Sequence, residues 1–352
     1  MNKPINLALQ GGGAHGAFTW GVLDALLEDQ RVDIHAISGA SAGAVNAVAV
    51  ADGLVRGGRD GARERLATLW RTISRVGQVT PIRRSLWNQW RGDWSLDNSV
   101  TYRFFDMLTR MLSPNEFNVF DVNLLRDVVS GQIDFDRVAC CSDIQLYLSA
   151  THVRTGRVRV FGREEITLDV VLASACLPRL FKTVMVDEEP YWDGGFMGNP
   201  PLHPFVYHCT ARDVVLVQIN PFERREIPRS AIDIENRINE ITFNSSLMGE
   251  LRAIDFVTRL IDAGKLDASE YKRMYMHLIS AEEQLEPLRA SSKFNTEWRF
   301  LEHLFNIGRQ SATEWLERHY DKLGERSSVH IRSLFAGEDG PDASQNASPN
   351  AT

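Results

Sequence analysis

Only four cysteines occur among the 352 residues. They are Cys140, Cys141, Cys176 and Cys209. Two are adjacent and none forms a C-x-x-C pair, so the chain encodes neither a disulfide scaffold nor a zinc site. They read as reduced, mostly buried thiols. No apolar run is long enough to span a bilayer, and residues 1–4 lead into a strand-like segment without the apolar stretch of a secretory signal. An excess of basic charge is also missing. Against 39 Lys and Arg stand 46 Asp and Glu, for a net charge of -7. That balance excludes sequence-independent binding of nucleic acid. It also disfavours constant adhesion to anionic lipid, although a local basic patch can still dock transiently. With 43% hydrophobic and 24% charged residues, the composition is that of a soluble globular protein. The expected location is cytoplasmic, at most peripheral to a membrane.

What is present is a sequence of glycine-punctuated turns. Residues 5–9 read as a strand, 11–13 as a glycine loop, and 15–28 as a helix with Phe18, Val22, Leu23, Leu26 and Leu27 on one side. Residues 34–37 form a second strand, Ser41 stands at the next turn, and 42–54 is a helix of small residues. Strand, glycine turn and helix repeated in this order open a parallel α/β sheet. Residues 56–129 are mostly helical by pattern, with a helix start at Thr80-Pro81. Strands follow at 146–153 and 158–161, a helix at 170–175, and a continuous apolar run at 214–219, as a central parallel strand requires. Beyond Pro228 the spacing of Ile234, Ile238, Ile241, Leu247, Leu251 and Ile254 is helical. A further helix spans about 295–323, with one more strand at 275–279. The Gly-, Pro-, Ser- and Asn-rich residues 337–352 are expected to be disordered. The expected organisation is a catalytic domain over 1–220 with a helical insert at about 56–129, a mainly helical extension over 221–336, and that tail.

Three motifs carry chemistry. In Gly39-Ala40-Ser41-Ala42-Gly43, a serine on a sharp strand-to-helix turn projects its hydroxyl above the sheet. Its neighbours must be small for strand and helix to approach. Gly11-Gly12-Gly13, between a strand and a helix N-terminus, can aim backbone amides at one point where the helix dipole favours negative charge. The run lacks the Gly-Lys-Ser/Thr ending of a phosphate-binding loop, and its match to a dinucleotide-binding G-x-G-x-x-G is imperfect. Beside a nucleophilic serine it reads as an oxyanion hole, whose donors each contribute roughly 10²–10³-fold. Asp193-Gly194-Gly195 follows an apparent strand end, where Asp193 could accept the Ser41 proton. Asp-Gly is equally a common turn dipeptide.

Over about residues 5–204 the chain resembles the bacterial branch of the patatin-like phospholipase family. The glycine loop, the Gly39 to Gly43 turn and Asp193-Gly194-Gly195 are similar to its oxyanion, nucleophile and base motifs, in order. Ser174-Ala175-Cys176-Leu177-Pro178 and Gly198-Asn199-Pro200-Pro201 resemble its accessory segments. The resemblance implies a three-layer α/β/α fold with a parallel-dominated sheet, and hydrolysis of lipid carboxylic esters by a Ser41–Asp193 dyad. Gly11, Gly12 and Gly13 would form the oxyanion hole. It implies no obligatory histidine, no metal and no other cofactor. The substrate partner would be a lipid or acyl ester. The family often has Arg or Lys where His15 stands. His15, Ala42 and Gly194 are expected to line the site.

Rival readings are few. A Ser-Asp-His triad fits poorly, because Ser41 comes after only about two strands and His277, His303 and His319 lack a strand-end setting. His15, His152 and His203 read more simply as hydrogen-bonded structural histidines. A dyad acting on an intracellular polyester or thioester, and a lipid- or granule-surface binding protein with little activity, are the alternatives. Trp87, Trp90 and Trp94, with Ile82, Leu86 and nearby arginines, suit a lid or membrane contact. Packing within the helical insert is the preferred reading for them, and for Tyr102, Phe104, Phe105, Met107 and Met111.

Overall fold

In the computed structural model the described residues are 2–78, 83–85, 88, 91–118, 121–224 and 227–336, without the side chain of Ile232. Thr80-Pro81, Ile82, Leu86, Trp87, Trp90 and the expected disordered tail lie outside them. Five parallel strands form the body of the sheet: β1 (Lys3–Leu9), β2 (Val32–Gly39), β3 (Gln145–His152), β7 (Asp213–Val217) and β8 (Tyr275–Ile279), side by side as β3-β2-β1-β7-β8. Three antiparallel strands complete it: β4 (Val158–Gly162), β5 (Val184–Val186) and β6 (Glu189–Asp193).

The interior strands are apolar on both faces because both are covered, as parallel sheets require. Along β7 the side chains alternate between two cores. Val215 and Val217 join one core, Val214 and Leu216 the other. The first core contains α1 (Gly16–Glu28), α2 (Ala42–Gly77) and α6 (Trp298–His319), through Phe18, Leu26, Val48, Leu66, Phe300 and Leu304. The second contains α5 (Ala231–Asp262) and the short helices α4 (His203–His208) and Ile331–Ala336, through Leu247, Leu251, Phe205 and Ile331. The result is a helix–sheet–helix sandwich. Residues beyond 220 contribute to all three layers: β8 pairs with β7, α6 packs on α1, and α5 lies on the opposite face.

Two expectations change. The helix foreseen at 42–54 continues to Gly77, with a break at Gly57 and Gly58. Its second half buries Ala62, Leu66, Leu69 and Trp70 in the main core. Phe104, Met107 and Met111, expected in a core, lie on α3 (Val100–Met111) and are 61%, 50% and 73% exposed. Helical spacing reveals an apolar face but not what covers it. Trp94 does pack, with its ring centroid 5.2 Å from Phe300 and 5.6 Å from His303 on α6.

The α1–α6 crossing is unusually close. A Cβ built on Gly21 would stand 2.0 Å from the Phe305 carbonyl oxygen, and one on Gly308 would stand 2.1 Å from that of Phe18. Backbone meets backbone there, so no side-chain rotamer can make room. Gly21→Leu is therefore expected to destabilise the fold by about 3 kcal/mol or more. Denaturant titration of the purified variant against wild type measures this.

Candidate active site

Ser41 and Asp193 approach each other along one edge of β3. β4 covers Tyr147 to Thr151 on one side of that strand. The other side is shared by two strands running in opposite directions. β2 ends there with Gly39 opposite Leu148, and β6 ends with Asp193 opposite Ala150. Only Ser149 separates the two levels. The chain leaving β2 and the chain leaving β6 thus meet head-on, and each must turn out of the sheet at the same place.

The turn out of β2 is tight. A Cβ on Gly39 would lie 2.7 Å from the Gly43 carbonyl carbon, and one on Gly43 would lie 2.2 Å from the Leu9 carbonyl oxygen. Glycine at both ends is what lets α2 start directly against the sheet. Ser41, between them, has φ 53° and ψ -121°, a region that costs a non-glycine residue about 1–3 kcal/mol. Its amide donates to Ser174 Oγ at 3.0 Å, and its carbonyl accepts from the Val45 amide at 3.1 Å. These bonds and the surrounding core hold the strained turn in place.

Asp193 is wholly buried. Its Oδ1 accepts the Gly195 amide at 2.7 Å, its amide donates to the Cys176 carbonyl at 2.8 Å, and its carbonyl accepts from Thr151 Oγ1 at 2.8 Å. Oδ2 has no hydrogen-bond partner among the described residues. Burial pushes the carboxyl up to about 7, opposed by the Gly195 amide, the Ser41 hydroxyl and the Lys293 charge. The Ser41 hydroxyl is thus near enough to favour the carboxylate without a well-aligned bond to it. Such looseness is usual before a substrate tightens the geometry.

The glycine loop does not present its three amides equally. The Gly11 amide donates to Asn199 Oδ1 at 2.6 Å, whereas the Gly12 and Gly13 amides have no acceptor among the described residues. Gly12, Gly13, Ser41 and Asp193 all line one cavity of about 870 Å³. Phe104, Phe105, Leu177, Leu180, Phe196 and Phe243 supply much of its apolar wall. No histidine lines it among the described residues. His15 is buried, with Nε2 2.7 Å from Ser292 Oγ. Burial, and then the Lys293 and Arg224 charges, hold it well below the usual imidazole range, so it is neutral. Its expected place in the site wall is therefore corrected. His152 reaches Glu189 at 2.9 Å and His203 stands 3.6 Å from Glu250. Ala42 and Gly194 pack behind the cavity. Ala42 Cβ lies against Gly16, and Gly194 presses on the Ser149 carbonyl. Asn199 falls within the accessory segment Gly198-Asn199-Pro200-Pro201, but neither Asn220 nor Lys293 stands in a motif, so no sequence signal marks them as site residues.

A strained serine where a strand turns into a helix, with a carboxylate and spare backbone amides on the same cavity, is the layout of an α/β acyl hydrolase. Residues 7–206 match the family model for patatin-like phospholipase. The chain belongs to the patatin-like phospholipase family, and membership implies a hydrolase of lipid esters. Among solved structures, VipD from Legionella pneumophila is similar at 14% identity, covering 98% of this chain and 81% of that one, with a TM-score of 0.35. The heterodimeric ExoU–SpcU complex from the type III secretion system of Pseudomonas aeruginosa includes a chain similar at 16% identity, covering 90% of this chain and 51% of that one, with a TM-score of 0.34. No curated protein matches.

The buried carboxyl has a thermodynamic consequence. A folded-state value of about 7 against 3.8 for a free aspartate means that ionising Asp193 opposes folding. The penalty is absent below about pH 4, grows as the pH rises, and is complete above about pH 7. Asp193→Asn is expected to stabilise the protein at pH 8 by up to about 4 kcal/mol, with the gain vanishing toward pH 4. Thermal unfolding at the two pH values tests this.

Proposed function

We propose that the protein hydrolyses carboxylic ester bonds of lipids, in the manner of a phospholipase A, through Ser41 and Asp193. The observation that carries this reading is the convergence of Ser41, Asp193 and the unengaged Gly12 and Gly13 amides on one largely apolar cavity. Ser41 Oγ attacks the acyl carbonyl as Asp193 Oδ2 takes its proton. The Gly12 and Gly13 amides receive the charge on the carbonyl oxygen, while Gly11 is committed to Asn199 and shapes the loop. Asp193 returns the proton to the leaving alcohol, and water releases the acyl-enzyme by the same route in reverse. On this reading residues 1–220 supply the reacting groups and most of the cavity wall, and 221–336 complete that wall through Phe243, Lys293 and Phe294. The reaction needs no metal or cofactor.

The cavity mouth favours a lipid surface as the source of substrate. Val100, Phe104 and Met107 line the cavity and are also half or more exposed. Met111 continues the α3 face, and Ile234, Ile238 and Ile241 are exposed on α5 beside the cavity-lining Glu235, Asn236 and Asn239. Apolar side chains gathered at a mouth suit partial immersion in lipid. Among the described residues no helix is long and apolar enough to cross a membrane, so contact would be peripheral.

With p-nitrophenyl butyrate as substrate, Ser41→Ala is expected to lower kcat/KM by at least about a thousandfold. Wild-type kcat/KM should rise through a midpoint near pH 7 as Asp193 ionises. Undiminished turnover by folded Ser41→Ala would refute the reading. The double variant Met111→Asp/Ile238→Asp, altered outside the cavity, should hydrolyse phospholipid vesicles about tenfold more slowly while keeping the soluble-ester rate. Parallel assays on the two substrates distinguish surface docking from chemistry.

A further inference from the structure

Lys293 stands far beyond the matched residues 7–206, in the single turn Ala290–Phe294, yet it lines the cavity with Ser41 and Asp193. Its backbone is pressed onto the glycine loop. Gly13 has φ +59°, and a Cβ there would stand 2.5 Å from the Lys293 carbonyl oxygen. Its Nζ donates to Asn220 Oδ1 at 2.7 Å, and Asn220 Nδ2 donates to the Gly11 carbonyl at 2.7 Å. On its other side Nζ lies 6.0 Å from the Phe243 ring centroid. That ring fills the space beside Gly195, whose amide holds Asp193 Oδ1. One ammonium therefore connects the glycine loop to the turn carrying the carboxylate.

The charge is not consumed by an ion pair. No carboxylate lies within salt-bridge distance of Nζ among the described residues, and Asn220 takes only one of its three hydrogens. Glu240 acts on it from α5 but is bound to Arg224 at 2.6 Å and Arg237 at 3.0 Å. Arg224 adds a second positive charge, and His15 is neutral. Asp193 is the remaining charge that acts on it. Burial, and then the Arg224 charge, push the Lys293 ammonium below the usual lysine range against the pull of Glu240 and Asp193, because desolvating an ammonium without a paired anion is costly. Such a group is most readily understood where it opposes negative charge that the reaction requires.

We propose that Lys293 is a positioning residue for ester hydrolysis, holding Asp193 in its proton-accepting form and making the glycine loop more receptive to the acyl oxygen's negative charge. The inference rests on the Ser41–Asp193 reading above. Its effects travel through Asp193 and through the loop, without a bond to the substrate's head group. In keeping with this, Lys293 lowers the Asp193 carboxyl against the upward push of burial.

The test uses p-nitrophenyl butyrate, which is neutral and has no phosphate. Lys293→Met is expected to lower kcat about tenfold or more with KM within about twofold. The acidic limb of its kcat/KM profile should move to higher pH, because removing a cation makes the carboxylate harder to form. Lys293→Arg, which stays charged, should recover most of the lost kcat and return the limb toward its wild-type position. If Lys293→Met fails to fold, Lys293→Gln carries the same predictions, since it keeps a donor for Asn220 without the charge. A raised KM with unchanged kcat would overturn the proposal in favour of a substrate anchor. An unmoved pH limb, or an Arg variant as impaired as Met, would overturn it in favour of a packing role. Ser41→Ala separates the two levels. If it abolishes turnover while Lys293→Met behaves as wild type, this inference alone fails. If Ser41→Ala remains active, the dyad reading fails and this inference falls with it.

Discussion

β3 has one edge with room for two partners, and β2 and β6 divide it between them. Because they run in opposite directions, their ends face each other across a gap of one residue on β3. Both chains must leave the sheet there, one through the turn at Ser41 and the other through Asp193-Gly194-Gly195. Both turns are tight, and the first is strained. Ser41 has positive φ, and Gly194 is packed against the Ser149 carbonyl so closely that a Cβ would overlap it. The juxtaposition of hydroxyl and carboxyl is thus a product of strand register. A one-residue slip of β6 would turn Asp193 to the other face of the sheet.

The surrounding structure supports two unfavourable features at that gap: a serine in a costly conformation and a carboxylate stripped of water. Each opposes folding by an amount of the order of a kcal/mol or more. Both sit over a sheet whose interior strands are buried on two faces, between helices joined by direct backbone approach at Gly21 and Gly308. The same burial that makes the carboxylate costly also places its titration where a proton acceptor works near neutral pH. On the proposed reading, stability and reactivity pull against each other at this one side chain.

Much of the architecture was legible because it is locally encoded. The strand–glycine–helix units at residues 5–28 and 34–54 and the apolar run before Ile219 each announce their element within a dozen residues, and Tyr275 to Ile279 forms a strand as its pattern indicates. The candidate site was legible only in part. Its glycine loop, Ser41 and Asp193 stand out as motifs, and the fold brings them to one cavity. The commitment of the Gly11 amide to Asn199 could not be read, because it joins residues 188 positions apart. His15 adjoins the glycines in sequence, but its ring turns into the core toward Ser292. Phe104, Met107 and Met111 have helical spacing, yet spacing does not say whether an apolar face meets protein or solvent. Lys293 offers no motif at all. Its position depends on the docking of a late segment onto Gly13.

That docking gives the molecule an order of assembly. Glycine loop, strained serine and aspartate all lie before residue 200 and leave the ribosome first. Asn220, Phe243, β8, Lys293 and the helix that covers α1 follow, ending at His319. Domains tend to fold from the N-terminus during synthesis, but here the face of α1 that carries Gly21 has no cover until Phe305 and Gly308 have emerged. The cavity likewise has no floor beside Gly13 until the turn at Ala290–Phe294 arrives. A nascent chain therefore carries Ser41, Asp193 and the glycine loop well before Phe243, Lys293 and Phe294 can complete the cavity around them. The cavity of a lipid-ester hydrolase would close only once Ala290–Phe294 has emerged and docked on Gly13.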